Sequence, residues 1–192
     1  MLEKFITFDT ELFLFLNGLH NPFMDTIMWW TSATITWVPL YLVVLYFVFK
    51  QLKWKGLLTL LFLILVVVIA DQGSVHLFKN VFQRLRPCHN LQIADFVHTI
   101  NGKCGGKFGF VSSHATNTFA FATFSSFFFK LQKYSYFIFF WAAFVSYSRI
   151  YLGVHFPGDI LGGAILGYAI GLSLFKLYQI SFHKLFLNKK AG

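Results

Sequence analysis

The residues best suited to chemistry lie in polar islands within an oily sequence. One island is Gly109-Phe110-Val111-Ser112-Ser113-His114, and a second runs from Ser148-Arg149 through His155 to Asp159. Lys79 and Arg86-Pro87 precede both, just past a long apolar run. A His paired with a carboxylate has a set tautomer and raised basicity, and the four-residue spacing of His155 and Asp159 puts both on one face of a helical turn. A second His, His114, suits work as an acid and then as a base. Arg occurs only at positions 84, 86 and 149, all beside these islands, and guanidinium groups bind phosphate oxygens bidentately. Phosphoryl transfer needs in-line positioning and neutralisation of spreading negative charge. Lys79, Arg86 and Arg149 are the cations that would supply it, most strongly where water is partly excluded. The chemistry this set implies is binding and cleavage of a phosphate ester.

Composition says what kind of element must hold these residues. Hydrophobic residues fill 57% of the 192 positions and charged residues 12%, with Phe alone occurring 27 times; mean hydropathy is +0.63. Soluble domains carry about 25% charged residues, so this chain has too little charge to cover a water-facing surface. An all-α integral membrane protein is expected. Five apolar runs, 27–49, 57–78, 115–129, 134–151 and 160–177, predict transmembrane helices, since a bilayer core takes about 20 helical residues. The first contains Pro39 and should kink there; the third continues from 112–114; the second holds Asp71, a candidate for function or for bonding a neighbouring helix. Gly162, Gly163, Gly167 and Gly171 give the fifth a small-residue face for close packing.

Residues 1–22 interleave Phe5, Phe8, Leu12, Leu16 and Leu19 with Glu3, Thr7, Thr10, Glu11 and Asn17. This pattern predicts an amphipathic helix lying in the membrane interface, ended by Asn21-Pro22. Asp9 and Glu11 interrupt the apolar character that a signal peptide would need. Residues 79–110 form a polar loop without periodicity, and no repeat or linker divides the chain, so 1–192 is expected to be one domain.

The net charge of +9 does not point to nucleic acid, because the basic residues fall at the ends of apolar runs and not on one soluble face. Lys50, Lys53, Lys55, Lys130, Lys133, Lys176, Lys184, Lys189 and Lys190 fall on one side of an alternating five-span topology, and the polar islands emerge on the other. The positive-inside rule then puts the basic side in the cytoplasm. Cys88 and Cys104 lack metal-site spacing. In an oxidising compartment they could close a ring worth up to about 3 kcal/mol. His20, His89, His98 and His183 read as solvated, as do Lys103 and Lys107. His76 could support Lys79, and Arg84 reads equally as a headgroup contact or a solvated charge.

Taken together, Lys79-(six residues)-Arg86-Pro87, Ser112-Ser113-His114 and Ser148-Arg149-(five residues)-His155-(three residues)-Asp159 resemble the three-part signature of the type 2 phosphatidic acid phosphatase (PAP2) superfamily, across residues 57–175. The middle part, usually Pro-Ser-Gly-His, here reads Val111-Ser112-Ser113-His114, which puts a side chain where a glycine would allow close backbone approach. The resemblance implies a PAP2-like helical bundle with no metal and no cofactor. It implies His155 as nucleophile forming a phosphohistidine, Asp159 orienting its ring, and His114 protonating the leaving oxygen and then activating water. Lys79, Arg86 and Arg149 would clamp the phosphoryl group, with Ser112 and Ser113 assisting through hydroxyl or backbone N–H.

The expected partners are the bilayer and a lipid phosphate or diphosphate: polyprenyl diphosphate, a lipid A phosphate, phosphatidylglycerol phosphate or phosphatidic acid. The expected place is a bacterial inner membrane, with the site facing the periplasm or exterior. Two other readings compete. One is the same site acting on a soluble phosphate ester or in vanadate-dependent halide oxidation. The other is a non-catalytic phospholipid transporter or anion-binding membrane protein, which would need the cations but not the His–Asp–His set.

Overall fold

The computed structural model describes residues 2–188, and every regular element among them is helical. Lys189 and Lys190 of the expected basic tail lie outside the described residues.

Helix α1 (Leu2–Gly18) departs from its predicted orientation. The face that docks on the rest of the protein carries Asp9, Phe13 and Asn17, all buried, while Phe5, Phe8, Phe15 and Leu19 are exposed. Asn17, predicted to sit among outward polar residues, is instead enclosed. Its amide donates to the carbonyls of Tyr151 and His98 at 2.8 and 3.0 Å. In a membrane protein the outward face can be as apolar as the inward one, because lipid is its solvent. Helix α2 (Pro22–Ser32) follows, with the Asn21 side chain accepting from the Met24 N–H and Pro22 in the first turn, where its missing N–H costs nothing.

The run predicted as one helix over 27–49 is broken at Ala33. A short 3₁₀ turn (Thr34–Trp37) separates α2 from α3 (Val38–Leu52). The last three carbonyls of α2 are taken up: Trp30 by the Ala33 N–H and Thr36 hydroxyl, Thr31 by the Trp37 indole, Ser32 by His114. A helix end inside a bilayer needs such partners. Pro39 therefore does not kink a helix; it lies in the first turn of α3.

A basic turn, Lys53–Lys55, leads into α4 (Gly56–Gly73), which passes through a π-helical turn (Ser74–Lys79) into α5 (Asn80–Phe82). Lys79 thus belongs to the helix, and the loop predicted from residue 79 begins only after Phe82. That loop is not featureless: it holds three 3₁₀ turns, an antiparallel bridge between Leu85 and Phe108, and a Cys88–Cys104 disulfide.

Helix α6 (Ser113–Phe129) forms the centre, flanked by α7 (Gln132–Tyr151) and α8 (Pro157–Phe186). The glycine face of α8 does what its spacing predicts. A Cβ on Gly167 would lie 2.3 Å from the Thr116 carbonyl oxygen, and one on Gly171 2.5 Å from that of Ala120. The backbones of α6 and α8 meet directly, which only glycine permits. Aromatic residues fill the deeper core, where Phe62 and Phe124 pack on Tyr178 with ring centres 5.5 and 5.6 Å away.

Thr34–Phe82 and Pro157–Phe186 are long and apolar enough to cross a membrane, the first containing both α3 and α4. Exposed Leu42, Leu61, Ile64, Phe140 and Ile165 give the bundle an apolar outer surface suited to lipid. Trp54 and Lys55 meet the Phe186 ring, so the basic turn and the end of α8 share one end of the bundle. The start of α8, the start of α6 and α1 share the other.

Candidate active site

The second polar island becomes a tight connection between α7 and α8. Gly153 takes a positive φ of 73°, and a Cβ there would lie 2.6 Å from the His98 carbonyl, so the turn requires glycine. His155 follows, 1% exposed, and Asp159 sits in the first turn of α8, fully buried. The Asp159 carboxylate does two jobs through Oδ2: it accepts the Phe156 N–H at 3.0 Å, capping α8, and faces His155 Nδ1 at 3.4 Å. A carboxylate that accepts from Nδ1–H leaves the lone pair on Nε2. Burial first, then the nearby charges of Arg86, Arg149 and Lys79, hold the His155 pKa well below the usual imidazole value. The ring is neutral at pH 7, as a nucleophile requires.

The other predicted site residues converge on this pair. Lys79, carried inward by the π-turn, donates to the Ser113 hydroxyl at 2.8 Å, and that hydroxyl also bonds Ser74 Oγ at 2.7 Å. Ser113, standing where the related signature has Gly, is therefore an anchor for a site cation. Arg86 is held by loop carbonyls, Cys104 at 2.8 Å and Phe108 at 3.3 Å. Gly105, at φ 80°, gives its guanidinium room, since a Cβ would come within 2.7 Å of Nη1. Burial lowers the pKa of Arg86 and the Asp159 charge pushes it back. Arg149 donates to Ser32 Oγ, while its Nε–H is buried without an acceptor among the described residues. A buried donor of that kind is rare and would be satisfied by an anion.

His114, near the start of α6, places Nε2 3.2 Å from the Ser32 carbonyl. A carbonyl can only accept, so Nε2 carries the proton and Nδ1 the lone pair. Ser112 differs from expectation. Its hydroxyl caps α6 at the Ala115 N–H, and its own N–H donates to the Asp159 carbonyl at 3.1 Å, so the first closes the start of α6 and the second ties that start to α8. Within the helix the N–H groups of Ser113 and His114 have no carbonyl a turn earlier, and they lie where a helix favours negative charge. Val111 is buried against Gly162.

Four residues set aside or left open by sequence reasoning join the framework. Arg84 bridges Asp159 Oδ1 at 2.9 Å and Asp9 Oδ2 at 2.6 Å, its guanidinium 4.2 Å from the Phe156 ring centre. A carboxylate inside an apolar helix was the available signal for Asp9. His98 is not simply solvated: it pairs with Asp25 at 3.0 Å and stacks on His20 at 3.8 Å. His76, by contrast, faces Gln72 on the surface at 3.1 Å and not Lys79, and Asp71 is bonded by Gln72.

An apolar cavity of about 390 Å³ adjoins the site. Ser32 and His114 stand at its polar edge, and Trp37, Tyr41, Leu63, Val67 and Phe121 form walls between α3, α4 and α6.

Comparison with known proteins gives the family and the fold. Residues 56–182 match the sequence profile of the PAP2 superfamily. The chain is 41% identical over 169 residues to a protein named lipid A 4'-phosphatase from Bacteroides thetaiotaomicron, covering 87% of this chain and 75% of the relative. A protein of the same name from Porphyromonas gingivalis is 39% identical over 178 residues, covering 92% and 75%. Among solved structures, the PAP2-type phosphatidylglycerolphosphate phosphatase of Bacillus subtilis superposes with a TM-score of 0.65 at 25% identity, over 96% of this chain and 89% of that one. Aquifex aeolicus LpxE shares the fold, with a TM-score of 0.63 at 24% identity over 87% and 94%.

Proposed function

Because the chain belongs to the PAP2 superfamily and is one of its membrane lipid phosphatases, we propose that it removes a phosphate from lipid A through a phosphohistidine on His155. The chemistry rests on one pairing: His155 Nδ1 faces Asp159 at 3.4 Å, which leaves Nε2 free to attack among three cations. Nε2 forms a bond to phosphorus as the ester P–O bond breaks, and His114, which takes up a second proton on Nδ1 before this step, gives that proton to the departing sugar oxygen. Lys79, Arg86 and Arg149 hold the phosphoryl oxygens, where fixed charges in a dry site act most strongly. Water then attacks phosphorus, His114 takes its proton, the P–N bond breaks, and inorganic phosphate leaves.

The lipid substrate is supported by the two relatives named for lipid A and by the cavity beside His114, whose apolar walls suit an acyl chain. Purified protein in detergent is expected to release phosphate from lipid A faster than from polyprenyl diphosphate, phosphatidylglycerol phosphate or phosphatidic acid. Release should persist in EDTA and be inhibited by vanadate. Turnover of another of these lipids with none of lipid A would overturn the substrate assignment.

The site is proposed to face away from the cytoplasm in a bacterial inner membrane, with one domain over 1–192. The disulfide at the site end and the lysines at the opposite end support that orientation. After mild reduction of intact cells, a membrane-impermeant thiol reagent should label Cys88 and Cys104. Labelling that requires permeabilised cells would invert the orientation.

A further inference from the structure

Helix α1 lies outside the 56–182 segment that matches the family profile, yet it reaches the catalytic carboxylate through a single intermediary. Asp9, 3% exposed, accepts the Gly158 N–H at 2.7 Å through Oδ1 and Arg84 Nη2 at 2.6 Å through Oδ2. Arg84 Nη1 in turn donates to Asp159 Oδ1 at 2.9 Å. The guanidinium is further fixed by its backbone, whose carbonyl accepts the Gly109 N–H at 2.8 Å, and by the Phe156 ring beneath it. That ring packs edge-on against Phe13 of α1 at 5.3 Å. Phe13 and Asn17 continue the docking face one and two turns beyond Asp9.

From this geometry we infer that Asp9 and Arg84 are positioning residues for the reaction, acting on His155 through Asp159. The inference rests on His155 being the nucleophile. A carboxylate can rotate about its last bond, and one bonded only through Oδ2 would be free to swing off His155. Arg84 holds Oδ1, so Oδ2 stays on the Phe156 N–H and His155 Nδ1. Arg84 itself would be free to turn between acceptors; Asp9 occupies its second nitrogen and sets the plane of the fork. Neither residue touches the reacting atoms. The pairing is not a surface ion pair of small consequence, because both carboxylates are buried and one guanidinium serves both.

The test uses the full-length chain in detergent with lipid A as substrate. Asp9→Asn keeps the shape of the side chain and removes its charge. It is expected to lower kcat about 10- to 100-fold, the scale of a small misplacement of reacting groups, with KM changed less than about twofold because the phosphate-holding cations are untouched. Phosphohistidine formation in a single turnover should slow by the same factor, and Asp9→Glu should recover part of the loss. Arg84→Ala should match or exceed Asp9→Asn, and the double variant should be no worse than Arg84→Ala, since residues acting through one contact are not additive. If Asp9→Asn does not fold, by tryptophan-monitored melting, Arg84→Lys decides: one ammonium cannot reproduce the two-pronged bridge, so kcat should still fall. Wild-type kcat in whichever of these variants folds, a loss confined to KM, or multiplicative losses in the double variant would overturn the inference. His155→Gln is measured beside them. If it keeps full activity the nucleophile assignment fails instead, and if lipid A is not turned over the same series is run on phosphatidic acid.

Discussion

Replacing His155 with Gln is expected to lower phosphate release by about four orders of magnitude or more, the scale seen when a nucleophile is removed from an intact site. Gln is similar in size and can keep a hydrogen bond to Asp159 through its amide, so the buried pocket around a residue 1% exposed stays filled. What disappears is the lone pair of Nε2. Three cations would still gather on the phosphate, so lipid binding should survive while turnover stops. Rapid acid-free quenching followed by phosphorus NMR or phosphohistidine blotting should find a phosphorylated imidazole in the wild-type protein and none in the variant. A folded His155→Gln protein retaining more than a tenth of the activity would remove His155 from the mechanism.

His114→Ala is expected to reduce turnover of lipid A about 10²- to 10⁴-fold, the contribution of a positioned acid–base group, and its signature differs from that of His155. The sugar oxygen is a poor leaving group and, in the proposed mechanism, needs a proton passed through His114 Nδ1. An aryl phosphate such as p-nitrophenyl phosphate does not need it. With that substrate, the variant should release one equivalent of nitrophenolate in a rapid burst and then stall, because the water that must cleave the P–N bond also depends on His114. Phosphohistidine should therefore accumulate in His114→Ala and stay at low occupancy in the wild type. Equal loss on both substrates, with no burst, would assign His114 to binding. The Ser32 carbonyl that fixes the ring at 3.2 Å is part of this account: it holds the proton on Nε2 and leaves Nδ1 to do the exchange.

The convergence of Lys79, Arg86, Ser113, His114, Arg149, His155 and Asp159 was legible because each lies at the end of an apolar run, and helices that span force their ends onto two planes. The glycine face of α8 was legible for a similar reason, since spacing alone aligns Gly163, Gly167 and Gly171. Four features were not. The break at Ala33 has neither Gly nor Pro beside it, and apolar residues continue on both sides, so nothing in the local pattern marks it; the satisfied carbonyls of α2 exist only once Trp37 and His114 have folded against them. The docking face of α1 was hidden because lipid and protein core accept the same side chains. Arg84 could not be distinguished from a solvated charge, because its two partners lie 75 residues away in each direction. Ser112 was assigned to substrate because a motif shows which residues gather, not which of their atoms are already used.

The π-turn at Ser74–Lys79 has a consequence for how this sequence is compared with others. Each residue of an α-helix advances about 100° around the axis, so one residue gained or lost upstream would swing Lys79 away from Ser113. A π-turn takes up one extra residue within an otherwise continuous helix. Alignment gaps of a single position between Gly73 and Lys79 should therefore be read as this turn being present or absent, with the ammonium restored to its place by compensation elsewhere in α4. A gap of the same size between His155 and Asp159 has no such remedy, because there the count of four residues is itself the geometry.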